Sequence, residues 1–162
     1  MFEVEDFLSK FAVLLNTDMP MISIEDVIRI TIEAHEGQKD LDGKPKILHP
    51  LAVGLAGKNR EEVIAGFLHD VVEDSKLTFT DLRKEGVEDK VIIALKLLTH
   101  DKSKSTYEEY INKIALSGNT IAIHVKYNDL RNNLRRGLAG NHMKQVRKHE
   151  SALRIIEPLI KN

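Results

Sequence analysis

Apolar residues recur at intervals of three and four through almost the whole chain, and nowhere do they alternate with polar residues as a half-buried strand requires. Ile24, Val27, Ile28 and Ile32 follow Ser23, with Asp26 three residues on, in the pattern of a capped helix start. A short helix is expected at HPLAVGLA with Pro50 in its first position. One continuous helix is expected from about Arg60 to Asp74. Shorter ones should cover Thr80 to Glu85 and Lys90 to Leu98, and then Thr106 to Leu116 and Thr120 to Arg136. A last one, from about His142 to Ile160, should be kinked or ended by Pro158. Phe7, Phe11, Leu14 and Leu15 give the N-terminal segment the same spacing. The polar stretches GQKDLDGKPKI and DKSKS are loops. No repeat, low-complexity run or linker divides the chain, so the expectation is an all-α single domain over residues 1–162.

The 162 residues suffice for one core. A net charge of −1 argues against nucleic-acid binding by bulk charge. With no cysteine there is no disulfide, no thiolate metal site and no cysteine nucleophile. MFEVEDFLSKF is acidic and amphipathic, unlike a signal peptide, and no apolar run is long enough to span a bilayer. A cytoplasmic, soluble protein is expected.

The segment GFLHDVVEDS carries the chemistry. At about 100° per residue, with His69 at zero, Glu73 lies near 40°, Asp70 near 100° and Asp74 near 140°. Gly66 falls on the same arc and leaves open space beside it, while Ile64, Phe67, Leu68, Val71 and Val72 fill the rest of the circumference. Charges beside apolar surface are expensive unless paired or bound to a cation. His69 and Asp70 can reach one metal, and Glu73 and Asp74, a turn along, are placed to work on a metal-bound water. The alternative is an amphipathic helix whose carboxylates face water. Further ligands are available among the seven histidines. His49, before Pro50, or His35, on the apolar side of the preceding helix, could complete a site. Each is otherwise a capping or core-edge histidine. In VKYNDLRNNLRR, Lys126, Asp129, Asn133 and Arg136 fall on one stripe, which makes Asp129 a candidate fourth ligand or part of a salt-bridged face. Two imidazoles and two carboxylates suit Mn, Fe, Co or Zn. From Lys126 to Arg154 there are eight basic residues against Asp129 and Glu150, a wall suited to phosphate. Lys102 and Lys104 are either phosphate clamps or solvated loop residues.

In order and spacing, AHEGQ, DGKP, LHP, FLHDVVEDS and VKYNDLRNNL resemble the HD-domain phosphohydrolases, and more narrowly the hydrolase domain of the RelA/SpoT alarmone enzymes. The likeness runs from about Ile24 to Arg136. It implies an all-helical HD domain holding Mn²⁺ or another divalent transition metal. It also implies removal of the 3′-diphosphate from guanosine tetra- and pentaphosphate, ppGpp giving GDP and pyrophosphate. By this resemblance His49, His69, Asp70 and Asp129 are the metal ligands, Glu73 and Asp74 activate water, and Asn133 and Arg135 contact the small nucleotide substrate. His35 becomes a structural neighbour. The chain is too short for the family's synthetase domain, so the resemblance implies degradation alone. Two positions depart from the family pattern, as does the segment LLTHDKSKSTYEEYI, where the alarmone enzymes usually read more like Val-Thr-Lys. Asp40 stands where a basic residue is usual, and Lys46 where an aromatic is favoured. Two other functions remain open at this point: hydrolysis of another phosphorylated metabolite, and a non-catalytic nucleotide-binding module.

Overall fold

The computed structural model describes residues 20–160. The expected N-terminal helix lies outside the described residues. The helices, in chain order, are α1 Ile24–Ala34, α2 Leu48–Leu55, α3 Arg60–Leu68, α4 Val71–Asp74, α5 Phe79–Lys84, α6 Asp89–Leu98, α7 Tyr107–Leu116, α8 Thr120–Ala139 and α9 Met143–Ile156. A 3₁₀ turn, Glu157–Leu159, follows. Among the described residues the only β pairing is an isolated bridge between Lys39 and Pro45, which closes the loop after α1.

Local chemistry explains where the helices start. Ser23 Oγ accepts from the Asp26 amide at 3.0 Å. Reciprocal capping boxes open α5 through Thr78 and Asp81, and α7 through Thr106 and Glu109. At the far end, Pro158 lies inside the 3₁₀ turn that replaces the last turn of α9, because its ring cannot continue the helix.

α8 is the hub of the molecule, packing on α2, α3, α6, α7 and α9. Leu130 and Val125 of α8 are buried against a core that includes Phe67, Leu95, Ile111 and Ile156. The helices thus enclose one apolar core, and the start of α2, the end of α3 and the middle of α8 meet at its edge. Among the described residues no helix is long and apolar enough to cross a membrane.

Two local expectations are corrected. The helix expected over Arg60 to Asp74 is broken after Leu68, with His69 and Asp70 in the break. His69 Nδ1 donates to the Gly66 carbonyl at 2.7 Å, taking an acceptor that an unbroken helix gives to the N–H four residues on. The apolar residues on both sides keep helical spacing, which hides the break. Pro50 also sits two residues later in its helix than expected, since α2 begins at Leu48; it still lies in the first turn, where no intrahelical N–H is needed.

Candidate metal centre and phosphate cavity

Two glycines bring the histidines together. A Cβ on Gly66 of α3 would lie 2.7 Å from the Gly54 Cα and 2.9 Å from the Gly54 nitrogen of α2. The backbones of α2 and α3 therefore cross with no room for a side chain. Gly66 is not the open space beside the acidic arc that the wheel suggested; it is the contact surface of two helices. That crossing carries His49, near the start of α2, to His69, just past the end of α3. Their Nε2 atoms lie 3.2 Å apart.

Each imidazole is held from behind. His69 Nδ1 donates to Gly66, as above, and His49 Nδ1 donates to Asn132 Oδ1 at 2.7 Å. A ring that donates from Nδ1 presents a lone pair at Nε2, and such outer contacts orient metal-binding histidines. Ligand atoms of His49, His69 and Asp70 lie within 4.8 Å of one another. Asp129 arrives from α8, with Oδ1 3.0 Å from His49 Nε2 and 3.7 Å from His69 Nε2. The donor set fits a divalent cation: two inward-facing nitrogens and two carboxylates, with three of the four side chains nearly sealed from water.

The electrostatics point the same way. Burial opposes a charged imidazole at His69, yet Asp70 and Asp129 outweigh it and lift the group to about 9. The cluster draws in a positive charge. Burial likewise works against the Asp129 carboxylate, but the Lys126 ammonium, with Nζ 2.7 Å from Oδ2, and the two histidines hold it well below its usual range. Asn133 Nδ2 donates to Asp129 Oδ1 at 2.6 Å. Arg136 Nη1 donates to Asn133 Oδ1 at 3.3 Å, and Nη2 to Asp40 Oδ2 at 2.9 Å. A hydrogen-bonded chain thus runs from Asp40 to Asp129, and the departure at Asp40 is anchored to the site.

The cluster opens into a cavity of about 560 Å³. Glu73 lines it. Its carboxyl is raised by burial and by Asp70, and Oε1 accepts from the His100 amide at 3.1 Å. Asp74 does not line it; its carboxylate is bound by Lys46 Nζ at 2.6 Å, so the second departure is also paired. Asn133, Arg136 and Lys102 line the cavity. Lys104 instead pairs with Asp101 in the loop. Arg135 lines a neighbouring cleft and not this cavity. Two residues past Asn133, it lies about 200° around the helix. His35 is buried beside Gln38, which donates to the Asp74 carbonyl, and it is not among the convergent donors.

Sequence reasoning missed Asn132 and Tyr107, and it reached Lys148 only as one of eight basic residues in the wall and His149 only as one of seven histidines. Asn132 lies three residues after Asp129 on α8, a spacing that shares a helix face, but its target is on α2. We expect Asn132→Ala to weaken metal binding about ten- to hundredfold by freeing the His49 ring, measured by calorimetric titration. Unchanged affinity would mean that Asn132 does not orient His49.

The all-helical bundle, with His69 and Asp70 at a helix break and His49 and Asp129 converging on them, has the fold of an HD domain, and comparison with known proteins makes the likeness narrower. No protein-family model matches the chain. It is 30% identical over 145 residues to the GTP pyrophosphokinase of Streptomyces coelicolor, covering 84% of this chain and 17% of that protein. It is 33% identical over 91 residues to the guanosine-3′,5′-bis(diphosphate) 3′-pyrophosphohydrolase of Aquifex aeolicus, covering 52% and 13%. With the bifunctional (p)ppGpp synthase/hydrolase SpoT of Escherichia coli it shares 43% identity over 56 residues, 32% of this chain and 8% of that one. Among solved structures it matches a metazoan ortholog of SpoT described as hydrolysing ppGpp. The TM-score is 0.67 at 23% identity, over 85% of this chain and 89% of that chain. The chain resembles the RelA/SpoT-type hydrolases in sequence and shares their fold, while spanning no more than 17% of the three curated relatives named.

Proposed function

We propose that this chain is one HD domain acting in the cytoplasm as a metal-dependent pyrophosphohydrolase. It removes the 3′-diphosphate of guanosine tetra- or pentaphosphate. The observation that carries the reading is the convergence of His49, His69, Asp70 and Asp129 at the base of a cavity walled by cations. These four residues would hold the ion, Mn²⁺ by the family resemblance. When bound, such an ion acidifies and orients water and offsets charge on phosphate.

The chain's own residues supply the rest. Glu73, at the cavity wall beside Asp70, is placed to take a proton from the attacking water. Asp74, fixed by Lys46, adds negative charge behind it. Water oxygen bonds to the phosphorus nearest the ribose, the bond from that phosphorus to O3′ breaks, and O3′ leaves with a proton. The products of ppGpp are GDP and pyrophosphate. Asn133 and Arg136 present amide and guanidinium groups to the substrate while positioning Asp129.

Purified protein with Mn²⁺ and ppGpp should yield GDP and pyrophosphate in equal amounts. Absence of turnover by metal-loaded protein would overturn the assignment. A second reading, hydrolysis of another phosphorylated metabolite, is favoured by Asp40 and Lys46, whose ion pairs place charge where relatives carry other side chains. A panel of nucleotides and phosphoesters separates the two, because the second requires preference for a substrate without a 3′-diphosphate.

A further inference from the structure

The charges around the cavity are unevenly matched. On the side formed by the loop after α1 and the end of α8, cations are paired with carboxylates. Arg136 binds Asp40 at 2.9 Å and Lys46 binds Asp74 at 2.6 Å, and the His142 imidazole shares a hydrogen bond with Asp42 at 2.8 Å. Lys39, at the mouth, is the exception there. On the side formed by α7, α9 and the loop before α7, Lys102 and Lys148 line the cavity with no carboxylate in ion-pair range among the described residues. Burial, together with repulsion from Lys126 and Lys102, holds the Lys148 ammonium below its ordinary value, the mark of surplus positive charge.

The same wall carries unmet hydrogen-bonding capacity. Tyr107 Oη and His149 Nδ1 are buried atoms with no partner among the described residues, and both residues line the cavity. Buried polar groups in folded proteins are almost always paired, so two on one wall call for a ligand. Lys148 Nζ lies 4.0 Å from the centre of the Tyr107 ring, and the His149 ring meets that ring edge-on at 6.5 Å. Lys126 Nζ stands 5.9 Å from the Tyr107 ring and binds Asp129. The wall therefore leads from the metal centre outward through Lys126 and Tyr107 to Lys148. Lys148 is exposed as a residue while its ammonium, seated over the ring, is partly buried, so an anion that reaches the Tyr107 hydroxyl displaces the ammonium from the ring.

We propose that Tyr107, Lys148 and His149, with Lys102 beside them, form a second anion subsite that binds the diphosphate remote from the bond being cleaved. This rests on the hydrolase reading above. An oxyanion there accepts from the Tyr107 hydroxyl, from an imidazole N–H of His149 and from the two ammonium groups. Because Arg136 and Lys46 on the opposite wall are already bound to Asp40 and Asp74, the subsite orients a substrate with a phosphate group at each end. The 3′-diphosphate lies at the metal centre and the 5′-diphosphate on α7 and α9.

The test compares ppGpp with the guanosine 3′-diphosphate that carries a 5′-hydroxyl. Wild-type protein should prefer ppGpp by about tenfold or more in kcat/KM, chiefly through KM, consistent with loss of charge-assisted bonds. In Lys148→Ala, and separately in Tyr107→Phe, that preference should shrink toward one. A preference that survives both substitutions overturns the subsite, as does a wild type that has none. If wild-type protein turns over neither compound, the hydrolase reading has failed on its own, and the subsite is then read by calorimetric binding of inorganic pyrophosphate to metal-free protein. Binding weakened by Lys148→Ala and kept in Asp70→Ala supports it. Binding absent, or insensitive to Lys148→Ala, overturns it.

Discussion

Asp70→Ala should yield a folded protein that holds no stoichiometric metal and has lost on the order of a thousandfold or more in turnover, more than loss of an outer contact removes. The side chain of Asp70 is 22% exposed, whereas that of Asp129 is 6% exposed and bonded to the buried Lys126. Removing Asp129 strands a buried ammonium, a change that typically costs about 3–5 kcal/mol and confuses folding with chemistry. Removing Asp70 strands nothing comparable. Its charge repels Glu73 but attracts the buried His69 imidazolium, so its loss relieves one contact and weakens another, and His69 keeps Asp129 as a partner. With these two effects opposed, melting of the metal-free variant should stay close to that of the metal-free wild type. Metal analysis by mass spectrometry, with the ppGpp assay, reads both parts. A variant that retains one tightly held ion per chain would remove Asp70 from the ligand set.

Gly66→Ala is the second large effect, and two opposing magnitudes decide its sign. In an isolated helix, alanine is favoured over glycine by about 1 kcal/mol. Here the added methyl meets backbone atoms of Gly54 at 2.7 and 2.9 Å, which no rotamer change relieves. Overpacking of this kind costs about 1–3 kcal/mol, and backbone against backbone belongs at the upper end. We expect net destabilisation and a fall in Tm of about 5 °C or more, given about 2–4 °C per kcal/mol in a domain of this size. Metal affinity should fall too, since separating α2 from α3 moves His49 from His69. A variant with unchanged Tm and unchanged metal affinity would show that the crossing tolerates a side chain and does not set the histidine pair.

The sequence was most legible where chemistry is written in short motifs. His49, His69, Asp70 and Asp129 were singled out together, and the fold brings them to one point. Helix starts marked by Ser23 and stops marked by Pro158 were also readable, because capping and ring geometry are local. What could not be read depends on register between elements. Gly66 looked like an absence on a wheel, yet its meaning lies in Gly54 of another helix. The break at His69 and Asp70 is concealed because the apolar residues on both sides keep helical spacing, and only the imidazole's bond to Gly66 betrays it. Arg135 was carried over by resemblance, while the helical wheel separates it from Asn133. Asn132, immediately before Asn133 in sequence, acts on a ring that no spacing along α8 could reveal.

The four convergent donors come from α2, from the turn after α3 and from α8, elements that meet only in the folded chain. An unfolded chain cannot offer them together, so any cation they hold binds the native state alone. By mass action, an ion present at a thousand times its dissociation constant adds about 4 kcal/mol to folding stability. That is a large share of the about 5–15 kcal/mol that keeps an ordinary domain folded. With such an ion bound, survival of the chain against unfolding and proteolysis would be tied to the supply of that cation, and a chelator would act on it as a denaturant.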